Sequence, residues 1–199
     1  MRRLIVLIFL LASLPSHAYL TSDVDVSTGY TSFSISSGEN SINLMSLATL
    51  NFSYNLNNAA WNTALNLDMS EAMQSNQGPL AWTRVAGGFK FYPTGFNAQR
   101  VVFDNKIEGI YWRPAPFMGA SLGLSNMSIS NVGGQSGSLN ASVMDAGLKA
   151  GAEVVITPNV FLTGQLSLIQ GLVAQSSKTT FDISYTGMGV YMGIKIISL

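Results

Sequence analysis

The sequence predicts an all-β protein, a single eight-stranded antiparallel up-and-down transmembrane β-barrel. Eight stretches of the chain alternate apolar and polar residues, which is the period of a β-strand. These stretches are about ten residues or longer, which is the length of a tilted membrane-spanning strand. They form pairs joined by turn-like segments, and their number is even. A membrane sheet has to close into a barrel, because an open edge leaves backbone groups without hydrogen bonds in lipid.

The first 18 residues are typical of a secretory signal peptide. Arg2 and Arg3 precede the apolar run 4–14, and Ser16-His17-Ala18 offers small residues at both positions that a signal peptidase reads. The apolar run is short of the roughly 18 residues that a helical membrane span needs. We therefore expect residues 1–18 to be a signal peptide and residues 19–199 to form the barrel domain.

The composition restricts the classes of function. Removal of Arg2 and Arg3 leaves eight basic residues against ten acidic ones, so the mature chain has no electrostatic case for binding nucleic acid. Charged residues make up 10% of the chain, well below the roughly 25% of soluble domains. The chain has no cysteine, and its only histidine, His17, lies in the predicted signal peptide. Disulfides and thiolate chemistry are thus excluded.

The first four predicted strands cover 23–36, 44–56, 59–70 and 81–92. The second and third alternate most regularly, and Asn57-Asn58 between them is a tight-turn candidate because asparagine tolerates positive φ. The third strand sets an apolar face with Trp61 and Leu65 against a polar face with Asn66. In the first strand, Phe33 and Ile35 break the alternation, which predicts a β-bulge near Ser32.

The last four predicted strands cover 117–130, 139–156, 160–172 and 180–198. Val143 is out of step at the start of the sixth strand, and Thr157-Pro158-Asn159 predicts the next turn. The eighth strand begins with Phe181, Ile183 and Tyr185 facing outward, and its alternation is ambiguous beyond Gly187. Aromatic residues near strand ends indicate interfacial girdles: Tyr30, Tyr54, Trp61, Phe91, Phe117 and Tyr185.

With the N-terminus in the periplasm, eight strands assign every connection to one side of the membrane. The predicted outer connections are 37–43, 71–80, 131–138 and 173–179. The predicted inner connections are 57–58, 93–116 and 157–159. The long segment 93–116 concentrates charge and could form a further short hairpin, which would raise the number of strands to ten. We favour a periplasmic flap, since each arm of that hairpin is too short to span the membrane.

Three segments resemble the small eight-stranded outer-membrane barrel proteins of Gram-negative bacteria. Ala86-Gly87-Gly88-Phe89-Lys90-Phe91-Tyr92-Pro93 and Pro116-Phe117-Met118-Gly119-Ala120-Ser121-Leu122-Gly123-Leu124-Ser125 are similar to their fourth and fifth strands. Gly147-Leu148-Lys149-Ala150-Gly151-Ala152-Glu153, followed by Thr157-Pro158-Asn159, is similar to the sixth strand and its turn. The resemblance implies a location in the outer membrane, with its lipid and the barrel-insertion machinery as partners. Members commonly end in an aromatic residue, whereas this chain ends in Ile197-Ser198-Leu199.

The strand pattern places a set of charged side chains together in the barrel lumen. This predicted lumen charge cluster consists of Asp68, Arg84, Lys90, Asp145, Lys149, Glu153 and Asp182. We interpret the cluster as a salt-bridged polar filling rather than as a binding or permeation site, because poorly solvated charges need partners. Asp23 and Asp25 project together and could bind a cation, but two carboxylates fall short of a calcium shell.

No residue pattern in the mature chain indicates catalysis, a cofactor or a metal. The enzymes among the outer-membrane barrels use a histidine as the base, and the mature chain has none. A Ser–Lys pair around Lys149 is a conceivable alternative. We therefore expect a non-enzymatic protein with a structural or surface-interaction role. A small passive pore or hydrophobic-compound channel remains an alternative, and so does a soluble exported ligand-binding barrel, which would need an apolar interior.

Overall fold

Eight antiparallel strands close into one barrel in the computed structural model. The model describes residues 20–37, 40–58, 60–74, 80–95, 114–130, 138–157, 159–176 and 183–198. The strands are β1 (Leu20–Ser37), β2 (Asn40–Asn58), β3 (Thr63–Gln74), β4 (Leu80–Phe91), β5 (Ala115–Ser130), β6 (Ser138–Thr157), β7 (Val160–Ser176) and β8 (Ile183–Ser198). Each strand pairs with its neighbours in the sequence, and β1 pairs with β8. The predicted fold class is confirmed.

The even number of strands puts the start of β1 and the end of β8 at the same end of the barrel, which we call the inner end. The connections 59–62, 92–114 and 158–159 lie at this end, and the other four connections lie at the outer end. The predicted signal peptide lies outside the described residues, as does most of the charged segment 93–116. Because β4 pairs directly with β5, no additional strand enters the barrel between them. Within the described ranges, no helix has the length and hydropathy to cross a membrane.

Strict alternation gives the middle of the barrel an apolar exterior and a polar lumen. On β3, for example, the side chain of Leu65 is 57% exposed, whereas that of its neighbour Asn66 is 5% exposed. The same alternation on the other strands builds a continuous belt of exposed leucine, methionine, valine and aromatic side chains. The lumen behind the belt is lined by serine, threonine, asparagine and charged side chains. This arrangement is the one expected where lipid surrounds the barrel, and it is the reverse of a soluble barrel with an apolar ligand cavity.

The irregularity predicted near Ser32 exists, but the extra residue lies on the other strand. Thr31 pairs with Leu47 and Phe33 pairs with Leu44, so two β2 residues lie opposite Ser32. The pairing of β1 with β8 continues through this point without a shift. Phe33 and Ile35 therefore stay on the lumen side of β1, where both are buried. The predicted irregularity near Ser32 is confirmed, but it does not move Phe33 and Ile35 to the other face.

The turn predicted at Asn57-Asn58 forms a few residues later. Both asparagines still pair with β3, Asn57 with Ala64 and Asn58 with Thr63. The Asn58 side-chain oxygen accepts hydrogen bonds from the backbone nitrogens of Ala60 (3.1 Å) and Trp61 (3.3 Å). Asn62 takes the positive φ of 51° that ends the turn. Asparagine does supply the left-handed residue, as expected, but Trp61 belongs to the turn and not to the strand.

Both faces of the sheet change character at the outer end. Its lumen is filled by a tightly buried outer apolar cluster of Phe33, Ile35, Leu47, Ala72, Trp82, Met127, Ala141, Val143, Ile169 and Tyr185. Tyr185 is therefore buried in the lumen, and the prediction that it faces lipid is wrong. Val143 is out of step because it belongs to this cluster. Of the predicted girdle residues, Tyr30, Tyr54, Trp61 and Phe91 are exposed, whereas Phe117 is buried inside.

The barrel lumen as the candidate functional site

The upper part of the polar lumen is built around the ion pair between Arg84 and Asp145. Arg84 on β4 places Nη2 at 2.7 Å and Nε at 2.8 Å from the same oxygen of Asp145 on β6. The other carboxylate oxygen of Asp145 accepts hydrogen bonds from Ser125 (2.6 Å) and Tyr185 (2.7 Å). The remaining guanidinium contact is a 3.1 Å hydrogen bond to Ser121. Both charges are buried, and the surrounding donors and acceptors satisfy them, as a poorly solvated ion pair requires.

A second ion pair joins opposite walls of the barrel below the first. The Nζ atom of Lys149 on β6 lies 2.7 Å from a carboxylate oxygen of Asp68 on β3. Asp68 also accepts hydrogen bonds from Ser53 (2.5 Å) and Asn66 (2.6 Å). Because β3 and β6 are not neighbours in the sheet, this pair crosses the lumen.

The third group of charges lies at the inner end and contains a residue that the sequence analysis missed. Lys195 on β8 contacts Asp23 at 2.9 Å and Glu153 at 3.0 and 3.1 Å. Tyr92 donates a 2.6 Å hydrogen bond to Glu153. Asn55 and the adjacent lumenal Asn57 both donate hydrogen bonds of 2.6 Å to Asp23. The Lys195 ammonium group thus pairs with one carboxylate from β1 and one from β6. Two side-chain amides from β2 donate hydrogen bonds to the β1 carboxylate.

Lys90 lies beside this inner group without direct contact to a carboxylate. Its Nζ atom is 5.1 Å from the ring centroid of Phe117, within the range of a cation–π interaction, and makes no hydrogen bond within the described part of the chain. Asp25 accepts a 3.4 Å hydrogen bond from Thr163. Asp23 and Asp25 do project into the same lumen, but Asp23 is occupied by Lys195.

The structure thus places six of the seven residues of the predicted lumen charge cluster inside the barrel. It pairs Arg84 with Asp145 and Lys149 with Asp68, whereas Glu153 pairs with Lys195 rather than with a member of the predicted cluster. Asp182 lies outside the described residues. The ambiguous alternation beyond Gly187 explains why Lys195 was missed: Gly189 and Gly193 stand at lumenal positions of β8 and carry no side chain that shows the face.

Clusters of buried apolar residues lie at both ends of the charged lumen. The outer apolar cluster lies above the Arg84–Asp145 pair, and Tyr185 belongs to both because its ring packs with Phe33 and its hydroxyl reaches Asp145. At the inner end, one small cluster contains Tyr92 and Phe117, and another contains Val155, Phe161 and Ile197. Between them, a cavity of about 30 Å³ is lined in part by Asp68, Arg84 and Lys149. It has room for about two water molecules.

Comparison with known proteins identifies the fold. No protein-family model and no curated protein matches the sequence. Neisserial surface protein A matches in structure with a TM-score of 0.60 and 13% identity, covering 88% of this chain and 96% of that chain. The N-terminal β-barrel domain of OprF from Pseudomonas aeruginosa matches with a TM-score of 0.50 and 15% identity, covering 88% and 97%. OprG from Pseudomonas aeruginosa matches with a TM-score of 0.50 and 9% identity, covering 91% and 98%.

The resemblance to small eight-stranded outer-membrane barrels is confirmed at the level of the fold. The apolar belt supplies the independent physical reason for the same location, since a closed barrel with such an exterior is stable only when lipid covers it. The protein is an outer-membrane β-barrel protein, and its strands are transmembrane strands.

Proposed function

We propose that this protein is a non-enzymatic, non-conducting barrel with a structural or surface-interaction role in the outer membrane. The observation that carries the proposal is the filled lumen. Three ion-pair groups lie between apolar clusters, and the cavity among them holds about 30 Å³. Eight strands enclose a space only about wide enough for side chains to fill, and here large side chains fill it.

The chemistry of the lumen supports a role without catalysis. Four of its five described carboxylates, Asp23, Asp68, Asp145 and Glu153, are each held by a cation at 2.7–3.0 Å. The fifth, Asp25, accepts a hydrogen bond from Thr163. Outside the predicted signal peptide, the sequence contains no histidine or cysteine that could act as base or nucleophile near neutral pH. A Ser–Lys mechanism at Lys149 would need a free amine, yet this amine is bound to Asp68. The lumen charges are therefore engaged with one another and leave no free base or nucleophile among these residues.

Single-channel recording in planar lipid bilayers tests the proposal. We expect no steady conductance from the unmodified barrel, because neither the 30 Å³ cavity nor the apolar ends admit a hydrated ion. The triple variant Arg84→Ala/Lys149→Ala/Glu153→Ala removes one member of each ion-pair group and should produce transient conductance or a less stable barrel. Reproducible, stable currents from the unmodified protein would instead favour the alternative of a small passive pore.

A further inference from the structure

The height of the apolar belt differs between two walls of the barrel. On β3, the outward positions 65–69 are apolar, and the outward positions on either side of them carry Thr63 and Glu71. On β6, all seven outward positions from 144 to 156 are apolar. The two strands are three positions apart in a barrel of eight. A tilt of the whole barrel shifts the belt on each wall up or down but does not equalise its height, so the difference belongs to the walls themselves.

The two belt heights can be compared with the thickness of a bilayer. A membrane-barrel strand is tilted by about 35–45°, so each residue advances about 2.5 Å along the membrane normal. The apolar stretch on β6 therefore covers about 30 Å, whereas Thr63 and Glu71, which bound the stretch on β3, are only about 20 Å apart. The hydrocarbon core of a typical bilayer is about 30 Å thick. The β6 wall matches this thickness, and the β3 wall is too short for it.

Glu71 sets the outer edge of the belt on β3. Its side chain is exposed on the outward face, between Leu50 on β2 and Thr83 on β4. The lysine and arginine side chains in the described ranges are buried in the lumen, so none of them neutralises this carboxylate. An ionised carboxylate is costly in hydrocarbon, and glutamate lacks the long apolar stem by which lysine and arginine reach the headgroups. The hydrocarbon on this wall therefore has to end below Glu71.

The register shows which residues of the two walls lie at the same level. The in-register row that starts at Val160 on β7 passes through every strand and returns to β7 at Gln170, ten residues nearer the outer end. Such a row rises by about four residues over the three strands from β3 to β6. It leads from Leu67 to Ala146, so Ala150, four residues nearer the inner end, lies level with Leu67. Each of these two residues is also the middle outward residue of its own apolar stretch.

We propose that the barrel thins the bilayer beside β3, so that the lipids along this wall form a shorter hydrocarbon layer than the lipids along β6. A bilayer adapts to a short apolar span by thinning at modest cost. The alternative, with Thr63 and Glu71 inside the hydrocarbon, would remove water from both polar side chains. The partner of the β3 wall is thus a locally thinned lipid surface. This inference goes beyond the proposed non-conducting role and does not depend on it.

Electron paramagnetic resonance of nitroxide labels tests the proposal in dioleoylphosphatidylcholine vesicles. The chain has no cysteine, so Leu67→Cys and Ala150→Cys each give a single labelling site on the lipid face. The relative accessibility of a label to oxygen and to a water-soluble nickel chelate measures its depth in the bilayer. Because the two residues lie level, a bilayer of uniform thickness gives both labels the same depth. With thinning at β3, the label at position 67 should lie about 5 Å closer to the headgroups, which is half the difference between the two spans.

Two further substitutions locate the cause of the depth difference. Glu71→Leu extends the apolar stretch on β3 by one outward position and should remove about half of the difference. Ser142→Leu is the matched control, because it makes the same extension on β6, where the apolar stretch already spans the hydrocarbon, and it should leave the difference unchanged. Heat-modifiable migration in electrophoresis establishes that each variant is folded. Equal depths of the two labels, or a difference that Glu71→Leu leaves intact, would overturn the proposal. So would a label at position 67 that is shielded from both reagents, since protein rather than lipid would then cover β3.

Discussion

Replacing Asp145 with asparagine should destabilise the barrel by about 3–5 kcal/mol, because it breaks a buried ion pair and leaves its partner charged. Arg84 is only 5% exposed, and both of its contacts shorter than 3 Å go to one Asp145 oxygen. The other Asp145 oxygen accepts hydrogen bonds from Ser125 and Tyr185, so the substitution also perturbs these two hydrogen bonds. Since each 1.4 kcal/mol is a factor of ten, the unfolding equilibrium constant should rise by roughly a hundredfold or more.

Urea unfolding of the refolded barrel in lipid vesicles, followed by tryptophan fluorescence and heat-modifiable migration, measures this change. Gln165→Ala is the control for a lumenal side chain without an ion pair, and it should cost much less. The double variant Arg84→Leu/Asp145→Leu removes both charges and should recover at least half of the loss, as with other buried pairs replaced by apolar residues. The reasoning is refuted if Asp145→Asn costs no more than Gln165→Ala, or if the double variant is no more stable than the single one.

Three further predictions concern the two faces and the two ends of the barrel. Leu65→Arg places a charge on the lipid face and should lower the folding free energy in lipid by about 2–4 kcal/mol near the bilayer midplane. The control Leu65→Met should insert normally. Equal folding yields of the two variants would contradict the assigned face. Trp82→Ala should cost about 3–5 kcal/mol in the same urea assay through the cavity left in the outer apolar cluster, and a change below 1 kcal/mol would mean that the cluster is loosely packed. Asn140→Cys should react with a membrane-impermeant maleimide on intact cells. Asn159→Cys, in the turn at the inner end, should react only after lysis. The opposite labelling pattern would show that the barrel has the opposite orientation in the membrane.

The sequence determines the architecture because alternation alone reports which residues share a face. The chain has no long apolar segment that competes with this pattern, and strands β2 to β7 keep it with few interruptions. Six of the charged residues were placed in the lumen for the same reason, since most of their neighbours along the strand are apolar and share the opposite face. Their pairing could not be read in the same way. The partner of Lys149 is Asp68, on a strand three positions away around the barrel, and this distance depends on the register of every intervening strand.

The errors at the outer end of the barrel share one physical cause. Alternation shows that two faces differ, but it does not show which face is inside, and we took the apolar face to point outward along the whole strand. Phe33, Val143 and Tyr185 lie beyond the membrane edge, where water surrounds the barrel and the apolar side chains turn inward. A consistent signal was present in the sequence, because the outward neighbours of these residues, such as Ser34, Ser142 and Thr186, are small and polar.

The change of polarity along the strands also explains how the lumen can hold so many charges. At the level of the belt, lipid supplies the apolar environment, so the hydrophobic effect does not require an apolar lumen there, and ion pairs can fill it. Above the belt, the exterior meets water, and the sheet must bury apolar residues inside to be stable. Trp82, Phe33 and Tyr185 do so with ring-centroid separations of 5.0 and 6.2 Å about Phe33. The same cluster that stabilises the exposed part of the barrel therefore separates the Arg84–Asp145 pair from external water, which strengthens that pair.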